Sequence, residues 1–347
     1  MQPSAAAAQT LEFEARIRAQ EQAQLAPDAT RSYPAIRRRS ERDSPLRTPF
    51  QRDRDRIVHT KAFRRLKHKT QVFVAPEGDH YRTRLTHTLE VTQVSRTVAR
   101  ALALNEDLVE AIGLGHDLGH PPFGHIGEAV LDDRLRERFG LGFRHYEHSL
   151  RVVDHLERDG AGLNLCEPVR DGILCHSGRA PEPATLEGRI VRLVDRIAYI
   201  NHDIDDALRA GVIARSDLPA QEIAALGDSG SRRIDTLVRD LVEHSQAAGG
   251  IVQGETVGAA MDRLRTFMFE RVYLSEEARR EHRRIETVLR TLFDHYCEEP
   301  DRLPAVVSSP AGAEPTLAAR VTDYLAGMTD RFCIREFEAL TVPRSFA

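Results

Sequence analysis

The stretch Gly115-His116-Asp117-Leu118-Gly119-His120-Pro121-Pro122-Phe123-Gly124-His125 decides how the chain around it must fold. The residues leading into it, Asp107 to Leu118, carry helical apolar spacing, and Gly119 with Pro121-Pro122 stops that helix. Small residues and a proline stop let polar side chains gather at a helix end with open space beside them. His116 and Asp117 sit there side by side, with His87 well upstream and Asp195 well downstream. The four offer two imidazoles and two carboxylates, a nitrogen and oxygen donor set for one divalent cation. Mixed nitrogen and oxygen donors suit Mn²⁺, Fe²⁺, Co²⁺, Zn²⁺ or Mg²⁺, and the residues do not choose among them; Mn²⁺ or Mg²⁺ is the expectation. The reading this set favours is a metal-dependent hydrolase acting on phosphate esters.

Working outward, the donors fall on separate helices, which is how helix bundles build metal sites. Thr83 to Ala103 reads as a helix with Leu85, Leu89, Val91, Val94 and Val98 as its apolar stripe. Leu186 to Ala210 reads as a long one. Ile190, Leu193, Val194, Ile197, Ile200 and Ile204 line one side, and Asp195, Tyr199, His202, Asp203 and Asp206 recur at helical spacing on another. Further helices are expected at 53–68, 127–138, 146–158, 168–175, 231–246, 255–272, 276–297 and 316–328. Residues 1–30 read as a short helix or frayed tail and 31–50, with three prolines, as an irregular arm. Gln71 to Val74 suits a short extended piece, and 247–254 and 299–315 are loops. The fold class is all-α. Its expected parts are a tail and basic arm (1–50), a catalytic core (51–215) and a helical C-terminal region packed on that core (216–347).

Composition narrows the rest. The chain has 347 residues, 41% of them hydrophobic and none of them Trp, so an aliphatic core is expected. No run of about 18 apolar residues marks a membrane span, and the first residues lack the apolar segment of a signal peptide; a cytoplasmic protein with no membrane partner is expected. The four cysteines form no C-x-x-C pair and read as reduced, buried thiols. Net charge is −4, yet residues 31–71 hold 14 Lys and Arg against 4 Asp and Glu. Such a block suits either a polyanionic partner, single-stranded nucleic acid included, or a helix face laced with ion pairs.

Several longer motifs accompany the donor set. They are Arg52-Asp53-Arg54-Asp55-Arg56-Ile57, Phe63-Arg64-Arg65-Leu66, Lys69-Thr70-Gln71-Val72-Phe73, Arg82 to Val91, and Gly188 to Tyr199. In this order they resemble the HD-domain superfamily and, within it, the deoxynucleoside-triphosphate triphosphohydrolases (dGTPase-like proteins), over about 52–211 and again near 324–346. The resemblance implies a multi-helix HD-domain fold with a helical C-terminal extension. It implies His87, His116, Asp117 and Asp195 as metal ligands, His125 as the proton-transfer residue, and Glu128 as its partner. A carboxylate three residues on can orient the imidazole and raise its pKa. It further implies that Arg84, His120 and His145 meet the phosphates, Tyr199 the phosphate or sugar, and Asp203 with Gln71 the sugar. Where this family commonly has Asn and Gln, this chain has Tyr146 and His148, which leaves His148 without an implied role.

The activity so implied is hydrolysis of a dNTP at the α-phosphorus to deoxynucleoside and triphosphate, in a homo-oligomer that dNTPs can activate. Two alternatives stand beside it. One is another HD-domain phosphohydrolase, acting on nucleotides, alarmones or cyclic nucleotides. The other is a nucleotide or single-stranded nucleic-acid binding regulator.

Overall fold

The computed structural model describes residues 5–71, 82–304 and 315–343. Helix α1 (Ala5–Gln24) leads into the arm. Helix α2 (Pro49–Val58) starts where Thr48 and Gln51 form a reciprocal capping box with Pro49 at the first helical position. A single helix over 53–68 does not form. His59 and Thr60 break it, and Thr60 Oγ1 accepts from the Phe63 amide at 3.0 Å to start α3 (Lys61–Arg65). A 3₁₀ turn over Leu66–His68 follows.

Helices α4 (Arg84–Ala101) and α5 (Glu106–Gly115) are capped by Thr83 and Asn105. Next come α6 (Gly124–Phe139), α7 (His145–Arg151), continued by a wider π turn over Val152–Leu156, and α8 (Glu167–Cys175). The long α9 spans Leu186–Arg209. The remaining helices are α10 (Ala220–Leu226), α11 (Gly230–Ala248), α12 (Glu255–Met268) with a π turn over Phe269–Tyr273, α13 (Glu276–Glu298), α14 (Leu317–Ala326) and α15 (Asp330–Thr341). Helices α10 and α15 lie outside those read from periodicity. Among the described residues there is no strand, only isolated bridges between Thr70 and Thr83 and between Arg37 and Cys166. The extended piece expected at 71–74 lies, beyond Gln71, outside the described residues. None of the described helices is long and apolar enough to cross a membrane.

Two apolar clusters organise the chain. The larger joins α2, α4, α5, α8 and α9 to α11 and α12, through residues such as Ile57, Val98, Ile112, Ile173, Val194, Leu237 and Leu264. The α4 stripe is rotated from the one expected: Val91 and Val98 are buried, but Leu89 is 50% exposed, because His87, Thr88 and Thr92 take the inward face. The smaller cluster packs Val130, Leu131 and Leu135 of α6 against Leu289 and Phe293 of α13, Val321 of α14 and Cys333 of α15. Helix α6 thus has its apolar face on the C-terminal helices and its first turn at the site described below.

The basic block is largely paired within the chain. Arg37 reaches the fully buried Asp53 at 2.5 Å, and Glu41 takes Arg37, Arg52 and Arg56 at 2.7–3.1 Å. Asp53 also accepts from the Cys166 amide at 2.7 Å, which supplies the extra hydrogen bond a buried ion pair needs. All four cysteines are buried and free.

Candidate metal and proton-transfer site

Three helices bring the donors together. His87 stands on the first turn of α4, His116 and Asp117 at the end of α5, and Asp195 on the third turn of α9. His87 Nε2 lies 2.9 Å from Asp195 Oδ1, and His116 Nε2 lies 3.8 Å from the same oxygen. His87, His116 and Asp195 each offer one ligand atom within a 4.8 Å compass. Asp117 adjoins them, with Oδ1 3.5 Å from His116 Nε2.

The backbone decides which nitrogen is offered. His116 Nδ1 donates to the Gly113 carbonyl at 2.6 Å, so Nε2 carries the lone pair, and that buried atom has no partner. His87 turns its Nε2 to Asp195, so its own unpartnered nitrogen, Nδ1, lies on the far side of the ring. A buried, unsatisfied nitrogen costs on the order of 1–3 kcal/mol, and a cation among the oxygens and nitrogens would satisfy that of His116. The residues present therefore fit a divalent ion. Burial opposes charge on Asp117, but His116, Arg84 and His120 hold its carboxyl well below the usual range. Arg84 Nη1 donates to Asp117 Oδ2 at 2.9 Å.

Beyond Asp117 the chain turns sharply. Phe123 and Gly124 both take positive φ, 62° and 59°, and a Cβ on Gly124 would stand 2.7 Å from Arg84 Nη2. Glycine there lets the loop close over the arginine and points α6 so that His125 heads it. Glu128, buried one turn on, accepts from two histidines: Oε2 from His125 Nδ1 at 2.9 Å, and Oε1 from both the His145 Nδ1 at 2.9 Å and the His145 amide at 3.1 Å. Burial works against the charge, but these bonds outweigh it and Glu128 stays ionised far below its ordinary range. His125 is 75% exposed, with Nε2 left for solvent or substrate. His120 stacks on His145, with centroids 3.9 Å apart, and its Nε2 lies 3.4 Å from Asp117 Oδ1. Burial, and then Arg84, hold His120 well below its usual pKa.

The far end is set by α9 and the turn after α12. Tyr273 donates its hydroxyl to Asp203 Oδ2, and burial pushes the Asp203 carboxyl up to about 7. Tyr199, partly buried, faces the same end near Arg265. The Gln71 side-chain oxygen is buried without a partner, and the Gln71 carbonyl lies beside Gly124. His148 turns away from this assembly: its Nδ1 is 3.9 Å from Asp323 and its ring packs near Phe143. Sequence reading gives no role to three further residues. His176, after α8, places Nε2 3.2 Å from His145 Nε2; His202 Nε2 pairs with Glu90 at 2.5 Å; Tyr273 reaches Asp203. Each has its partner far away in the chain; His176 and Tyr273 have no motif around them, and His202, on the polar side of α9, gains its partner Glu90 only through folding.

Comparison with known proteins gives a consistent family. The HD domain model matches residues 84–200, and the Phosphohydrolase-associated domain model matches 251–339. A deoxyguanosinetriphosphate triphosphohydrolase-like protein of Caldanaerobacter subterraneus subsp. tengcongensis is 51% identical, covering 92% of this chain and 93% of its own. Relatives of the same name from Clostridium perfringens and Brucella suis are 48% and 39% identical, covering 89% and 86% of this chain and 91% of each of theirs. Among solved structures, a hypothetical protein from Aquifex aeolicus is 21% identical, with a TM-score of 0.45 over 82% of this chain and 67% of that one.

Proposed function

We propose, from the premise that the chain belongs to the deoxyguanosinetriphosphate triphosphohydrolase-like family of HD-domain proteins, that it is a metal-dependent dNTP triphosphohydrolase. The observation that carries this reading is the junction of two devices: a buried His116 Nε2 without a partner beside Asp117 and Asp195, and an exposed His125 held by the buried Glu128. The first suits a cation at a phosphate; the second suits proton transfer next to it.

In this reading His87, His116, Asp117 and Asp195 hold one divalent ion, with Mn²⁺ or Mg²⁺ preferred. When bound, such an ion stabilises charge on a phosphate oxygen and lowers the pKa of water. Arg84, His120 and His145 line the triphosphate, and Tyr199, Asp203 and Gln71 line the sugar. Water oxygen bonds to the α-phosphorus as the bond from phosphorus to the 5′ oxygen breaks. The net proton movement is from that water to the 5′ oxygen, and His125 Nε2 is placed to carry one half of it. Glu128 fixes the imidazole and keeps Nδ1 protonated. The three-part division at 50/51 and 215/216, homo-oligomerisation and dNTP activation belong to the same proposal, and light scattering with and without dNTPs tests the assembly.

The deciding experiment incubates the protein with each dNTP and Mn²⁺ or Mg²⁺ and separates the products. Deoxynucleoside and intact triphosphate are expected. Pyrophosphate with dNMP, or free orthophosphate, contradicts the mechanism. His116→Ala and Asp117→Ala should abolish turnover while the far-ultraviolet circular dichroism stays helical; undiminished turnover in either rejects the metal assignment.

A further inference from the structure

We propose that His202 is a positioning residue for the metal site: its Nδ1 accepts the hydrogen that His87 presents on the far side of its ring, and Glu90 holds His202 in the tautomer that can do so. It rests on the reading above only in taking His87 as a metal ligand.

Helices α4 and α9 are joined twice by the same kind of pair, with the partners exchanged. His87 of α4 faces Asp195 of α9 at 2.9 Å. Glu90, three residues on in α4, faces Nε2 of His202, seven residues on in α9, at 2.5 Å. Spacings of three and seven keep both pairs on one side of each helix. The rings of His87 and His202 thus stand together, edge to face, with centres 5.8 Å apart and planes at 88°. His202 is 3% exposed. His87 Nδ1 and His202 Nδ1 are both buried, and neither has a partner.

The hydrogens follow from the chemistry of the neutral ring, which has one hydrogen and one lone pair. His87 offers a cation the lone pair of Nε2, on the Asp195 side, and its hydrogen is then on Nδ1. Metal-binding histidines almost always donate that hydrogen to a fixed acceptor, which orients the ring and raises its basicity. Two further imidazoles pack on His87. That of His116, with its centre 5.7 Å away, has Nδ1 on the Gly113 carbonyl and Nε2 turned to Asp117 and Asp195. That of His202 has an acceptor to give. The Glu90 carboxylate lies against Nε2, so the hydrogen stands there and Nδ1 keeps its lone pair. Arg82, with Nε 3.4 Å from Glu90 Oε1, favours charge on that carboxylate. A small rotation of either ring, or one water between them, completes the bond, and a bond through water is nearly as favourable as a direct one.

The test measures metal affinity without nucleotide. Full-length protein stripped with chelator is titrated with Mn²⁺, and free Mn²⁺ is read from its electron paramagnetic resonance signal. His202→Phe keeps a flat ring and has no acceptor; its affinity should fall about 10- to 100-fold. His202→Asn puts an oxygen where Nδ1 stands and should retain most of the affinity. Both variants take away the partner of Glu90, so a purely structural role would weaken both alike. Wild-type affinity in His202→Phe overturns the proposal, and so does an equal loss in the two variants. A second measurement needs no folded variant with phenylalanine: wild-type protein labelled with ¹⁵N at histidine, with Mg²⁺ bound, is studied by nuclear magnetic resonance, and His202→Asn identifies the signal. His202 should carry its hydrogen on Nε2 and His87 on Nδ1; a hydrogen on His202 Nδ1 overturns the proposal. The predicted affinities with the wrong dNTP products would refute the functional reading alone. Deoxynucleoside and triphosphate as products, with undiminished affinity in His202→Phe, would refute this inference alone.

Discussion

Asp203 is 2% exposed, with one oxygen taking the Tyr273 hydroxyl and the other lacking any partner. Burial raises its carboxyl to about 7 despite that hydrogen bond. Its ordinary pKa is near 3.8, so between those values the folded chain holds a proton that the unfolded chain has released. Stability therefore falls as pH rises from about 4 to about 7, and the cost stays constant above that. Asp203→Asn keeps an acceptor for Tyr273 and has no charge to bury. Its stability advantage over the wild type should grow through that window, reaching on the order of 2–4 kcal/mol, as read by urea denaturation at several pH values. A difference between the two proteins that does not vary with pH would contradict the burial argument. Asp203 itself could be read from the sequence, because i+8 from Asp195 places both on one side of a helix. Tyr273 could not, since its contact joins residues 70 apart. His176 was hidden for the same reason: a single histidine after α8 gains meaning only when folding sets it against His145.

At the scale of elements, the helix α7 that carries His145 is seated on the His116–Gly124 loop through one glycine. A Cβ on Gly119 would meet the Ser149 amide nitrogen at 2.1 Å and the His148 carbonyl carbon at 2.4 Å. Both are backbone atoms, so the helix itself would have to move. Ser149 secures the same contact: its hydroxyl accepts from the Gly119 amide at 2.9 Å and donates to the His116 carbonyl at 2.7 Å. Gly119→Ala should cost about 3 kcal/mol and remove most turnover well below its own melting temperature, because His145 is displaced. Ser149→Ala should cost about 1–3 kcal/mol for the groups left unpaired but retain most turnover, since the helices can still approach. Wild-type turnover in Gly119→Ala would show that α7 has slack. The sequence marks Gly119 as the stop of a helix running to Leu118, whereas α5 ends at Gly115 and Gly119 lies in the turn that follows; the close approach of α7 depends on packing that local spacing does not encode. The break at Thr60 was hidden differently: apolar residues on both sides keep helical phase, and only the side-chain cap reveals the restart. Helix α15 escaped because Thr329 begins it directly after α14.

At the scale of the whole molecule, the C-terminal helices hold the site from behind, and Asp330 is where the two parts meet. It opens α15, where the helix dipole favours a carboxylate. Oδ1 accepts from the Phe123 amide at 3.0 Å, and Oδ2 accepts from the Thr70 amide at 2.9 Å and from the Thr70 hydroxyl. One side chain thus ties α15 to the residue two before His125 and to the residue before Gln71. Lys69 adds a second tie, its ammonium donating to the carbonyls of His120 and of Ala326, the latter at 2.8 Å. Asp330→Ala leaves two backbone amides in a buried region without acceptors, for a cost on the order of 3 kcal/mol. The strained turn at Phe123 and Gly124, both at positive φ, then loses the contact that holds it. Amide hydrogen exchange should speed up over 118–125 and 66–71, and turnover should fall further than substrate affinity, because His125 is misplaced more than the phosphate ligands. The Arg151–Asp323 pair is the control. It also joins the two parts, at 2.7 Å through both nitrogens, but Arg151 is 36% exposed, and a pair so placed contributes about 1 kcal/mol or less. Arg151→Ala should therefore leave exchange over 118–125 unchanged. Equal acceleration in both variants would mean that any contact between the parts supports the site, and that Asp330 has no special part in placing His125.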